Sequence, residues 1–121
     1  MNINDYCKWT ENTCAKLDNQ VLDTIHMLMG MTTEVGELTD PFKKQLAYNK
    51  EIDWVNINEE IGDLIFYIAS FCRINNLNLE KIIETNIEKL ETRYPDKFTQ
   101  DKAINRNLEN ERKILRKIFD K

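Results

Sequence analysis

Apolar residues recur at three- and four-residue steps through most of the chain, in runs such as Met31, Val35, Leu38, Phe42, Leu46 and Ile61, Leu64, Ile65, Ile68, Cys72. That spacing is the period of an α-helix, so each run marks one helical face that must be covered. Only three glycines and two prolines punctuate the 121 residues, too few for a turn-rich sandwich or barrel. The chain is therefore expected to be all-α, a bundle of four or five helices in one domain spanning residues 1–121.

The first helix is predicted over about Asp5–Leu17 and the second over about Gln20–Tyr48, with Asp40-Pro41 kinking or interrupting it. A third covers about Asn56–Ile74, opening on a capping box of Asn56 and Glu59 and closing at Asn75-Asn76. Asn78 caps a fourth, to Tyr94, which Pro95 stops; a polar loop runs to Asn107, and Leu108–Phe119 forms the last.

Charge narrows the function. Acidic residues number 21 against 17 basic ones, a net charge of -4, which argues against a nucleic-acid polymer as partner. The single histidine, His26, excludes a multi-histidine metal site and reads as a satisfied core or interface residue. Cys7, Cys14 and Cys72 are odd in number and lack C-x-x-C spacing, as expected of free thiols in a reducing cytoplasm. No apolar run approaches the roughly 18–20 residues that span a bilayer, so no membrane partner is expected.

Carboxylate is the abundant resource, and it is patterned. Glu34 and Glu37 lie three apart on the second helix, and Glu60 and Asp63 three apart on the third, each pair beside its apolar stripe. One such pair is an ordinary solvated helix face; two on successive helices can meet across an antiparallel hairpin, where they repel unless a cation joins them. Oxygen donors of this kind suit Mg²⁺, with Mn²⁺ as a substitute. Gly36 and Gly62, one inside each pair, suggest close approach of backbone or ligand.

Asn86, Lys89 and Arg93 follow on one face of the fourth helix, a cationic ridge suited to a polyphosphate or simply a basic surface. Lys44 is a weaker phosphate candidate. Trp9 and Trp54 read first as core; Tyr67, one turn beyond Asp63, is the better candidate to stack a base.

Glu34-Val35-Gly36-Glu37, Glu60-Ile61-Gly62-Asp63 after a gap of 22 residues, and Asn86-x-x-Lys89-x-x-x-Arg93-Tyr94-Pro95 together resemble the MazG-like all-α nucleoside triphosphate pyrophosphohydrolases. The resemblance covers about residues 20–107 and is nearest the small single-domain branch, in which RYPDKF and Ala103-x-Asn105-Arg106 are typical. It implies a four-helix core, here with an additional terminal helix, assembled as a homodimer or homotetramer. It implies that Glu34, Glu37, Glu60 and Asp63 hold Mg²⁺, that Lys89 and Arg93 contact phosphates, and that Tyr67 and Asn86 contact the nucleotide. The reaction would convert a (d)NTP to (d)NMP and pyrophosphate, with Glu34 taking the proton of the attacking water. The alternative is a helical regulatory module that binds nucleotide without turnover.

Overall fold

The computed structural model describes residues 1–120. Those residues are all-α, with six α-helices, two short 3-10 segments and no strand. They form two compact units, Met1–Leu77 and the residues from Asn78 on. No helix among them is long and apolar enough to cross a membrane.

In the first unit, α1 (Ile3–Trp9) starts at Asn2, whose side chain accepts from the Asn4 N–H at 2.8 Å. It passes into a 3-10 turn at Thr10–Asn12 and ends there, well short of Leu17. Thr10 is fully buried: its hydroxyl donates to the Cys7 carbonyl at 2.6 Å and accepts from Arg73 Nε at 3.0 Å. A side chain that takes a backbone carbonyl in this way competes with the continuing helix ladder.

The second helix, α2, covers Gln20–Tyr48 as expected and ends at Asn49, whose φ of 54° is left-handed. It continues through Pro41 without interruption, because that ring removes only the one donor that would reach the Glu37 carbonyl. The next helix, α3, covers Trp54–Ile74, two residues earlier than expected. Its cap is Asp53, which accepts from Val55 N at 3.0 Å and Asn56 N at 3.4 Å, so Asn56 lies inside the helix and makes no capping box.

These two helices form an antiparallel hairpin. The start of α2 meets the end of α3, where Gln20 Nε2 donates to the Ile74 carbonyl at 3.0 Å and Thr24 Oγ1 bonds Asn75 Oδ1 at 3.2 Å. The buried seam matches the apolar spacing only in part: Cys72 is buried and Met31, Leu38, Leu64 and Ile68 are half-buried. Met27, Gly30 and Glu34 are buried on α2, whereas Val35 is 48% and Leu46 is 89% exposed. On α3, Ile57, Glu60, Ala69, Ser70 and Cys72 are buried while Ile61 and Ile65 face outward. Trp9 and Trp54 are exposed as well, Trp9 stacked on Tyr6 and Trp54 edge-on to Phe42. His26 is half-buried with an Nδ1 that has no hydrogen-bond partner, so it is not a satisfied core residue. The three cysteines are free thiols.

In the second unit, α4 (Leu79–Arg93) begins at Asn78, which caps Lys81 N at 3.1 Å. The stretch read as loop contains a short helix, α5 (Gln100–Ile104), capped by Thr99. The last helix is shorter than expected: α6 (Leu108–Leu115) gives way to a 3-10 segment over Arg116–Phe119. Thr85, Glu111 and Ile114 are buried, whereas Ile83, Ile87 and Leu90 of α4 are exposed.

Candidate functional site

Glu34 sits midway along α2 and Glu60 in the second turn of α3, both on the faces that the hairpin turns inward. Glu34 is 9% and Glu60 is 8% exposed; Glu37, one turn after Glu34, is exposed at the rim. One carboxylate oxygen from each of the three lies within 4.8 Å of the others. Glu34 Oε2 and Glu60 Oε2 are buried without a hydrogen-bond partner. Unpaired acceptors of that sort are costly to bury, and a shared cation removes the cost.

The electrostatics agree with the geometry. Glu37 is held above the usual carboxylate range first by its hydrogen bond with Glu60 and then by that group's negative charge. Glu60 is raised in turn by sharing a hydrogen bond with Glu34. Two carboxylates can share a hydrogen bond only if one holds a proton or a cation replaces it. The donor set, three hard anionic oxygens in one place, therefore fits Mg²⁺ or Mn²⁺.

Asp63 is exposed and is not one of the three converging groups, although its charge reaches Glu37 and Tyr67. Tyr67 packs on α2: a Cβ on Gly30 would meet its ring carbons at 2.3 Å. Burial, followed by the charge of Glu34, raises its phenol. Beyond the glycine's own helix, nothing lies within 4 Å of a Cβ built at Gly36 or Gly62, so no backbone packs closely there; the close approach in the hairpin is that of the Tyr67 ring to Gly30.

Beside the carboxylates opens a cavity of about 690 Å³ lined by Gly36, Glu37, Asp40, Lys44, Lys50, Asp53, Asn56 and Glu60, among others. Lys44 lines it but is engaged, with its ammonium 2.7 Å from Asp40 Oδ2, and this pairing holds Asp40 below the usual carboxylate range. Lys50, which the sequence reading missed, lines the same cavity and has no ion-pair partner among the described residues. Its only signal in sequence is its place just past a helix end.

Within the second unit, Asn86 is exposed and Lys89 half-exposed with no ion-pair partner among the described residues. Arg93 is different. It is paired with the buried Glu111 of α6, which also accepts from Arg106 Nη2 at 3.0 Å and Nε at 3.3 Å. Arg106 and then Arg93 hold the Glu111 carboxyl at about 2.

A helical hairpin whose buried seam gathers three carboxylates around one point could hold a metal ion there. Over residues 23–98 the chain matches the model of the MazG nucleotide pyrophosphohydrolase domain, and it belongs to that family. No curated protein and no solved structure matches it.

Proposed function

We propose that the chain is a Mg²⁺-dependent nucleoside triphosphate pyrophosphohydrolase that converts a (d)NTP to (d)NMP and pyrophosphate, in nucleotide-pool control in the cytoplasm. The observation that carries this reading is the convergence of Glu34, Glu37 and Glu60, two of them with unpartnered buried oxygens, in a chain of the MazG family. A bound divalent cation would polarise phosphate oxygens and acidify a water toward neutral pH. Glu34, Glu37 and Glu60 would hold it, with Asp63 as the further ligand that the sequence motif assigns.

The chain's own residues supply the rest. Glu34, the more enclosed carboxylate of its pair, accepts the proton of the attacking water. Lys44 faces the cavity as a phosphate contact, and Tyr67, rigid against Gly30, offers its ring to the base. Asn86, Lys89 and Arg93 are assigned to the substrate by the family motif, Lys89 as a point charge and Arg93 as a fork. The cavity volume lies within the range of about 300–1,000 Å³ that takes small-molecule ligands.

The same reading includes a homodimer or a homotetramer built from dimers. Val21, Ile25, Leu28, Val35, Phe42 and Leu46 are all exposed on α2, at steps of four and three residues completed by Thr32 and Thr39. A 3.5-residue average is the repeat that a partner helix covers. Over 26 positions the stripe is about 39 Å long, enough for a seam of the standard interface size. A second copy presenting the same stripe is the occupant it fits.

The test is incubation with the eight common ribo- and deoxyribonucleoside triphosphates, in Mg²⁺ and in EDTA, followed by product separation. Monophosphate and pyrophosphate formed only with metal is the expected result. Saturable nucleotide binding with no product identifies a regulatory module instead.

A further inference from the structure

Asn56, Glu60, Asp63 and Tyr67 follow one another on α3 at steps of four, three and four residues, so they share one face of the helix. Asn56 and Tyr67 are about 16 Å apart along the axis, with Glu60 and Asp63 between them. Tyr67, against Gly30, stands at one end of this row. The cavity of about 690 Å³ opens at the other, where Lys44, Lys50 and Asn56 line it.

That cavity has two lysines against five carboxylates, and four of the five are engaged. Glu37 and Glu60 belong to the converging group, Asp40 is paired with Lys44, and Asp53 caps α3. Glu51 alone has none of these roles. Lys50 is exposed and has no ion-pair partner among the described residues, so its charge is available to a ligand. The left-handed turn at Asn49 sets its place: the Asn49 N–H donates to the Gln45 carbonyl at 3.0 Å and the Lys50 N–H to the Lys44 carbonyl at 3.4 Å, folding the chain back on the end of α2. Asn56, one turn before Glu60, adds a half-buried side-chain amide with no hydrogen-bond partner among the described residues.

We propose that this cavity is the subsite for the β- and γ-phosphates, the pair released as pyrophosphate, with Lys50 as their charge contact and Asn56 as an uncharged donor. The nucleoside then lies toward Tyr67, so the substrate runs in one direction along the hairpin, from base through the carboxylate centre to the terminal phosphates. Lys50 suits the task because a compact ammonium on a flexible stem follows oxygens that rotate about the phosphate bridges. The proposal rests on the hydrolase reading and adds to it a residue that lies outside both carboxylate pairs and outside the α4 motif, together with the direction of the bound substrate.

Pyrophosphate and the common nucleoside monophosphates are titrated separately into the full-length protein in Mg²⁺, by calorimetry, so that affinity is read without turnover. Lys50→Gln should weaken pyrophosphate roughly tenfold, the loss expected for one charge-assisted hydrogen bond, and leave monophosphate binding within about twofold. Lys50→Arg should restore most of the pyrophosphate affinity. Lys50 is exposed and makes no ion pair, so both variants keep the fold. Absence of saturable pyrophosphate binding, or an unchanged affinity in Lys50→Gln, overturns the proposal. A loss that falls on the monophosphate instead overturns it too, by reversing the direction of the substrate. The expected binding pattern with no nucleotide hydrolysed would overturn the hydrolase reading alone, and hydrolysis with pyrophosphate affinity unmoved by Lys50→Gln would leave that reading standing without this subsite.

Discussion

The Tyr67 ring lies so close over Gly30 that a Cβ at that glycine would fall 2.3 Å from two of its carbons. The contact joins α3 to α2 one turn before Glu34, so it sets the spacing of the hairpin where the carboxylates meet. Gly30→Ala gains roughly 1 kcal/mol of helix propensity but overpacks a site where misfit costs about 1–3 kcal/mol. We expect net destabilisation by denaturant titration, reversed to a gain when the same change is made in a Tyr67→Ala background. Additive effects of the two substitutions would show that the ring does not depend on Gly30.

Mg²⁺ is expected to raise the melting temperature of the wild-type protein, and Glu60→Gln to abolish that rise. At a metal concentration about 100-fold above Kd, linkage predicts roughly 2.7 kcal/mol of stabilisation. Hydrolysis by Glu60→Gln should fall by 100-fold or more, beyond the about 10–100-fold typical of losing a mere outer partner of a metal ligand. A scanning experiment in EDTA and in Mg²⁺, with both proteins, reads these effects directly.

Acid stability isolates Glu111. Its carboxyl is held at about 2 by Arg106 and Arg93, below an unfolded value of about 4.3. A lowered carboxylate contributes stability above the unfolded pKa and loses it as pH falls through the folded one. Wild-type stability should therefore decline from about pH 4.3 toward pH 2, and Glu111→Gln should be less stable at pH 7 with a shallower decline. Equal slopes for the two proteins would contradict the pairing.

Replacing Ile25 and Leu28 with glutamate places charge on the exposed α2 stripe without touching its buried seam. Light scattering should give a multiple of 14.4 kDa for the wild type and a single chain for the variant. Helix content by circular dichroism should be unchanged. A monomeric wild type at micromolar concentration would remove the dimer from the proposal.

The sequence reading puts the α3 cap at Asn56, and the structure gives it to Asp53. Asp53→Ala should cost about 1 kcal/mol, whereas Asn56→Ala in the helix interior should gain about half a kcal/mol of helix propensity. Equilibrium unfolding of the two variants decides it.

Local rules carried the reading a long way. Low glycine and proline content with three-to-four spacing was enough for an all-α chain, and Gln20 and Tyr48 bounded the second helix, with Asn78 and Pro95 bounding the fourth, at or within one residue of where they lie, because caps and breakers act over a single turn. Pro41 misled, since a proline penalty is local and a long packed helix outweighs it. Glu34 with Glu37, and Glu60 with Asp63, were legible as i,i+3 pairs on successive helices, because that spacing puts two side chains on one face of their own helix.

Tertiary packing decided what spacing leaves open. An apolar stripe can face a neighbouring helix or the outside, and only the register of the hairpin put Met27, Gly30, Glu34 and Glu60 inside while Val35, Ile61 and Ile65 went out. The same packing brought Glu34, Glu37 and Glu60 together and left Asp63 exposed. It drew Glu111, 18 residues from Arg93 and unremarked in sequence, into a buried pair with it. Periodicity determines which residues share a face of one helix; which face is covered depends on long-range contacts that no local pattern records.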